Sequence, residues 1–139
     1  MTTFRTSRQL AAAPATVFAA IQDGKRLARW WGPKGFSNRF EVFEFQPGGK
    51  WVFDMIGPDG AVYPNESVFS SIAADYQVVI QHTCQPHFQL TITLEPVAGG
   101  TLLTWEQVFA DPKVAEAVRH IVEPANEENL DRLSGELGI

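Results

Sequence analysis

The chain has 139 residues, 45% hydrophobic and 12% aromatic, with a formal net charge of −5. That much apolar material supports one sizeable core and excludes a disordered chain. The negative balance argues against a general affinity for nucleic acid or an anionic membrane, since both need clustered positive charge.

Thr2 to Leu10 alternates weakly and predicts a first strand. Arg5 and Arg8 followed by LAAAPATVFAAI superficially resemble a secretory leader. Pro14 interrupts that run, and a strand end followed by a helix start accounts for it better. Pro14 suits a first helical turn, with Val17, Phe18 and Ile21 on the apolar side. Asp23 is placed to cap a second short helix, Lys25 to Trp30, and Gly32-Pro33 stops it. Lys25, Arg26, Arg29 and Lys34 gather around that helix end and read as a solvated face.

The apolar period then changes to two. Phe40 to Phe45 is an imperfectly alternating strand, and Pro47-Gly48-Gly49 is a turn. Lys50 to Ile56 places Trp51, Phe53 and Met55 on one face. Gly57-Pro58-Asp59-Gly60 turns the chain into a strand from Val62 to Ala73, where Pro64 implies an edge or a bulge. Tyr76 to Thr83 directs Val78, Ile80 and His82 to one face. Phe88 to Pro96 and Thr101 to Phe109 form a hairpin about Gly99-Gly100. Leu103, Trp105, Gln107 and Phe109 are in phase on its second strand.

Asp111 and Pro112 open a final helix. Its apolar stripes, Val114-Val118-Ile121 and Leu130-Leu133-Leu137, are slightly out of register with Pro124 between them. One long helix kinked near Glu123 is expected, with two separate helices as the alternative. An antiparallel sheet must bury one face, and only this helix is large enough to cover it. The class is therefore α+β, with the sheet curled around the last helix and the two short helices filling a gap.

The ordered set Ala13-Pro14-Ala15-Thr16-Val17-Phe18, Arg29-Trp30-Trp31-Gly32-Pro33, Pro47-Gly48-Gly49-Lys50-Trp51, Gly57-Pro58-Asp59-Gly60, Gly100-Thr101-Leu102-Leu103-Thr104-Trp105 and Leu130-Asp131-Arg132-Leu133 spans nearly the whole chain. It resembles the START-like, or SRPBCC, superfamily. The nearest branch is that of homologues of the activator of heat-shock protein 90 ATPase, beside the polyketide cyclases. The resemblance implies one domain over residues 1–139 with a helix-grip fold. That fold is a curved antiparallel sheet of about seven strands around a long C-terminal helix, with two short helices after the first strand. It implies no single function, because the superfamily includes lipid and hormone binders, cyclases and co-chaperone domains.

A sheet curled around one helix often leaves a pocket for a small organic molecule. Alternation and the aromatic signature nominate Trp30, Trp31, Trp51, Phe53, Tyr63, Glu66, His82, Trp105, Gln107 and His120 as its lining. Packing of the core is the competing role for most of them. One of Trp30 and Trp31 is expected to pack into the sheet and the other to face the pocket mouth. Glu66, inward by phase, would need a ligand or a Trp, Tyr or His partner. His120 faces either the cavity or solvent.

His82, Cys84 and His87 supply too few convergent ligands for zinc, so no metal and no cofactor is expected. Cys84, the sole cysteine, reads as a partly buried, inert thiol. The favoured function is binding of a small hydrophobic or aromatic molecule. Alternatives are a cyclase- or dehydratase-like enzyme using His82 or Glu66, and a protein-interaction module. The expected partner is thus a small molecule and not nucleic acid, with a homodimer left open. No stretch approaches the ~20 apolar residues of a membrane span, and the cytoplasm is the expected location.

Overall fold

A computed structural model describes Met1–Ile139. Strand β1 (Thr2–Leu10) is followed by helices α1 (Pro14–Gln22) and α2 (Gly24–Trp30). Six strands come next: β2 (Ser37–Phe43), β3 (Lys50–Ile56), β4 (Val62–Ala73), β5 (Gln77–His82), β6 (Phe88–Val97) and β7 (Gly100–Phe109). Helix α3 (Pro112–Leu137) ends the fold. All seven strands form one antiparallel sheet, in the order β1-β7-β6-β5-β4-β3-β2. This is the α+β helix-grip architecture, a curved sheet closed by the last helix.

The local chemistry explains the element ends. The Asp23 carboxylate accepts from the Lys25 N–H, and Asp111 accepts from the Lys113 N–H at 2.9 Å. Each bond satisfies a helix-end donor that has no partner within the helix. The imperfect alternation of β2 comes from a register shift between Phe40 and Val42 in its pairing with β3. Pro64 lies in β4 opposite Asp54 of β3, but β5 pairs with β4 only from Ser67 onward. Around Pro64 the strand therefore has a free edge, where a missing N–H costs no ladder bond. A separate register shift lies between Phe69 and Ser71.

Helix α3 is continuous through Pro124. The proline lacks the N–H that would bond the His120 carbonyl, and both residues are exposed, so water can serve that oxygen. The two out-of-register stripes have separate jobs. Leu130 and Leu133 are fully buried and Leu137 packs beside them, in a core built on Trp30, Trp51, Phe69, Ile92 and Leu103. Ala115, with Val114, Val118 and Val122, packs on Phe4 and Phe109 in a smaller cluster at the other end of the helix. The helix is thus anchored to the sheet near both ends, and Ile121 is not in the buried stripe: it stands 59% exposed.

Side chains of α3 also hold the segment after α2. Asn129, itself buried, accepts from the Gly32 N–H (3.1 Å) and donates to the Trp30 carbonyl (2.9 Å). The Arg132 guanidinium donates to five backbone carbonyls, those of Arg29, Trp31, Gly32, Pro33 and Phe36, at 2.8 to 3.0 Å. A planar fork with several fixed N–H groups suits this task; a single ammonium does not. Gly32 has φ +95°, and a Cβ there would lie 2.6 Å from the Met55 Cε. The Arg26 and Arg29 guanidiniums, expected on a solvated face, both pair with Glu136 (3.0 and 2.8 Å). Those bonds hold the Glu136 carboxyl down at about 2, with Arg29 the larger influence.

Candidate functional site

Along the middle of α3 an open cleft of about 510 Å³ lies between the helix and the sheet. Ile121, Val122, Ala125 and Asn126 form the helix wall. The sheet contributes Met55 from β3, Val62, Tyr63, Pro64 and Asn65 from the free-edged part of β4, His82 from β5 and Gln107 from β7. Pro33 and Phe36, in the segment held by Arg132, close one side; Gln85 and Pro86, from the β5–β6 loop, close another. The rim is apolar and wet: Val62, Tyr63 and Ile121 are all among the exposed large hydrophobic residues. The Phe36 and Tyr63 rings lie 6.0 Å apart there.

Five amide or imidazole side chains line this space: four form two pairs, and the fifth, Gln85, is exposed at its edge. His82 is buried and stacks on Phe88 with ring centroids 4.4 Å apart and planes at 10°. Its Nδ1 lies 2.7 Å from the Pro86 carbonyl and its Nε2 2.8 Å from the Asn65 Oδ1, while the Asn65 Nδ2 donates to the Tyr63 carbonyl. A carbonyl only accepts, so the Nδ1 carries hydrogen. A doubly protonated ring would donate to both oxygens. A neutral ring requires the Asn65 amide to turn over and give up its bond to Tyr63. Burial favours the neutral ring and lowers the His82 pKa from its ordinary 6.5, with the Pro86 carbonyl acting in the opposite sense. The Cys84 Sγ is 3.5 Å from the same Nε2 and accepts from the Glu66 N–H at 3.4 Å. In the second pair, the Asn126 Nδ2 donates to the Gln107 Oε1 at 3.1 Å.

Of the ten candidates, Tyr63, His82 and Gln107 line the cleft. Trp30 instead is buried beside α1, its indole N–H donating to the Ala20 carbonyl at 2.9 Å. One of the pair was expected to face the mouth, but Trp31 also turns inward, onto the sheet. Its ring centroid lies 5.0 Å from that of Trp51 and 5.5 Å from that of Trp105. Trp51, Phe53 and Trp105 are buried in the main core, with Trp51 stacked 4.4 Å from Phe53. The indole N–H groups of Trp51 and Trp105 meet no oxygen or nitrogen acceptor. The region under the indoles is therefore filled by rings, and the open space lies farther along α3.

Glu66, expected inward, is exposed, and of the two orientations open to His120 the structure shows the exposed one. In β4 the inward phase belongs to Asn65, Ser67 and Phe69, which sends Glu66 outward opposite Val52. His120 faces water because the wall positions of α3 are 121, 122, 125 and 126. His82 and Glu66, either of which the enzyme alternative would use to move a proton, do not converge: His82 lines the cleft and Glu66 is exposed. Asn65 and Asn126 were not anticipated. Asn65 was hidden by the wrong phase of β4, and Asn126 lies in the short interval between two apolar stripes.

The chain matches known folds and one family. The family model for activator of Hsp90 ATPase homolog 1-like protein matches residues 11–138. A solution structure from Arthrobacter aurescens superposes with a TM-score of 0.89 at 24% identity, covering 98% of this chain and 86% of that one. A crystal structure from Chromobacterium violaceum gives 0.85 at 21%, covering 97% and 96%. The AHSA1 protein of Silicibacter pomeroyi gives 0.80 at 23%, covering 99% and 98%. At these identities the likeness speaks for the fold alone. No curated protein matches the chain in sequence. No helix is long and apolar enough to cross a membrane. With its motifs in order, its helix-grip sheet and a family match over nearly its full length, this chain belongs to the family of activator of Hsp90 ATPase homolog 1-like proteins.

Proposed function

We propose that the chain binds one small hydrophobic or aromatic molecule in the cleft between the sheet and α3. The observation that carries this is the cleft itself. Its volume of about 510 Å³ is within the ~300–1,000 Å³ typical of small-molecule sites, with apolar walls and a few convergent polar groups. The walls are held by rigid parts: α3 is pinned at both ends, and the Pro33–Phe36 side is tied down by Arg132 and Asn129. A site built in advance spends less of its binding energy on ordering loops.

Ala125 supplies a blocking test, since it lies on the helix wall and lines the space. Thermal shift with a panel of uncharged naphthalenes is expected to raise the melting temperature of the native protein, because a ligand that binds only the folded state stabilises it. Ala125→Trp, whose indole would occupy the cleft, is expected to remove that shift. A panel that leaves the native protein unmoved, or moves both proteins equally, overturns the proposal.

A further inference from the structure

The ligand class follows from what the cleft wall lacks and from what it leaves unpaired, an argument that rests on the binding function proposed above. No Asp, Glu, Lys or Arg lines the space. A charged ligand would give up hydration without meeting an opposite charge, and such a transfer is costly. Among the polar groups, the Asn65–His82 pair is committed to itself and to the Tyr63 and Pro86 carbonyls. The Gln107–Asn126 pair is not. One hydrogen bond between two side-chain amides uses one NH₂ and one oxygen. It leaves the Gln107 NH₂ and the Asn126 oxygen without a protein partner, and turning both amides over still leaves one donor group and one acceptor.

Depth makes this residue pair decisive. Gln107 is only 7% exposed, whereas Tyr63 and Ile121 at the mouth are 47% and 59% exposed. The Gln107 NH₂ has no protein partner and is not among the buried orphaned atoms, so it reaches the water of the cleft; a hydrocarbon ligand would strip that water away, a cost that a ligand acceptor removes. The apolar body of such a ligand would then lie toward the rim.

We propose that the cleft selects an uncharged aromatic or alicyclic molecule bearing a carbonyl or hydroxyl oxygen, inserted oxygen first onto the Gln107–Asn126 amide pair. Gln107 is the specificity-determining residue. It donates to the ligand oxygen, and a hydroxyl ligand also donates to the free amide oxygen.

Three probes of one shape separate the possibilities by isothermal titration: 2-acetylnaphthalene, 2-isopropylnaphthalene and 2-naphthoate. The ketone is expected to bind about five- to tenfold more tightly than the hydrocarbon, as one buried hydrogen bond provides. The naphthoate anion is expected to bind at least about tenfold more weakly than the ketone. Gln107→Leu should erase the preference for the ketone while leaving the hydrocarbon bound as well or better. Should that variant fail to fold, the order of the three probes on the native protein decides alone. Equal or tighter binding of naphthoate, a ketone no better than the hydrocarbon, or a ketone preference that survives in Gln107→Leu overturns this selectivity and leaves small-molecule binding standing. Binding of none of the three overturns the binding function itself.

Discussion

Replacing Arg132 probes the tie between α3 and the segment after α2. Its guanidinium serves the carbonyls of Arg29, Trp31, Gly32, Pro33 and Phe36, all within 3.0 Å. Hydrogen bonds from a charged donor are worth roughly 1.5–3 kcal/mol each, but five contacts sharing two nitrogens are not additive, and part of the segment reaches water. Arg132→Met should therefore cost about 2–4 kcal/mol. For a chain of this length, unfolding entropy of about 0.3 kcal/mol per degree converts that to a fall of roughly 7–13 °C in Tm. Arg132→Lys should recover only part of the loss, because an ammonium has three donors at one point and reaches fewer of the five oxygens. Urea unfolding monitored by tryptophan fluorescence measures the change, with the midpoint falling and the slope unchanged. Native-state hydrogen exchange should place the loosening at Gly32 to Phe36. A Met variant within about 0.5 kcal/mol of the native protein, as surface substitutions typically are, would show that Arg132 does not hold this segment, as would a Lys variant as stable as the native protein.

Three other perturbations test separate parts of the structure. Glu136→Gln breaks the charged contacts to Arg26 and Arg29 and should lower Tm by about 3–5 °C at neutral pH. Because the Glu136 pKa is depressed from 4.5 to about 2, the native advantage should be full above pH 4.5 and shrink as pH falls toward 2. A difference that does not change with pH would contradict this. Asn65→Asp puts a carboxylate against the His82 Nε2 and should raise its pKa. The native protein, whose His82 is depressed, should lose stability as pH falls below 6.5, while the variant should hold its stability there and lose it as pH rises through the raised value. Histidine ring ¹⁵N shifts against pH report both, and an unmoved titration would remove Asn65 as its partner. Gly49→Ala would set a Cβ 1.9 Å from the Glu44 carbonyl oxygen and should cost several kcal/mol or prevent folding. Gly48→Ala, with φ +80° but open space around it, should cost only about 1–2 kcal/mol. Equal urea midpoints for the two would show that the turn relaxes around the clash.

The architecture was legible because three independent signals agreed. Pro14, Asp23, Asp111 and Pro112 mark helix starts, the Gly-containing turns separate strands, and alternation on β3, β5, β6 and β7 assigns the buried face. The site was less so. Tryptophan is a large core residue with one polar atom, and nothing local distinguishes a ring that fills a core from one that lines a space. Trp31 packs on both Trp51 and Trp105, so the aromatic signature marks packed core rather than the cleft lining. β4 misled for a different reason. Val68 and Phe69 offered both phases, and the true one is set by pairing with β3 and β5, which is not local. The out-of-register stripes of α3 did hold the answer. The end of the first stripe, Ile121, and the interval after it, Val122, Ala125 and Asn126, supply all four helix-wall residues of the cleft.

Amide chemical-shift mapping with 2-acetylnaphthalene addresses the occupied cleft most directly. Binding in the cleft should give saturable shifts concentrated on Tyr63, Asn65, His82, Gln107 and the turn of α3 around Ala125 and Asn126, together with movement of the Gln107 side-chain NH₂ signals. Shifts centred on Trp31, Trp51 and Trp105, or spread over the outer face of the sheet, would place any binding elsewhere and contradict it.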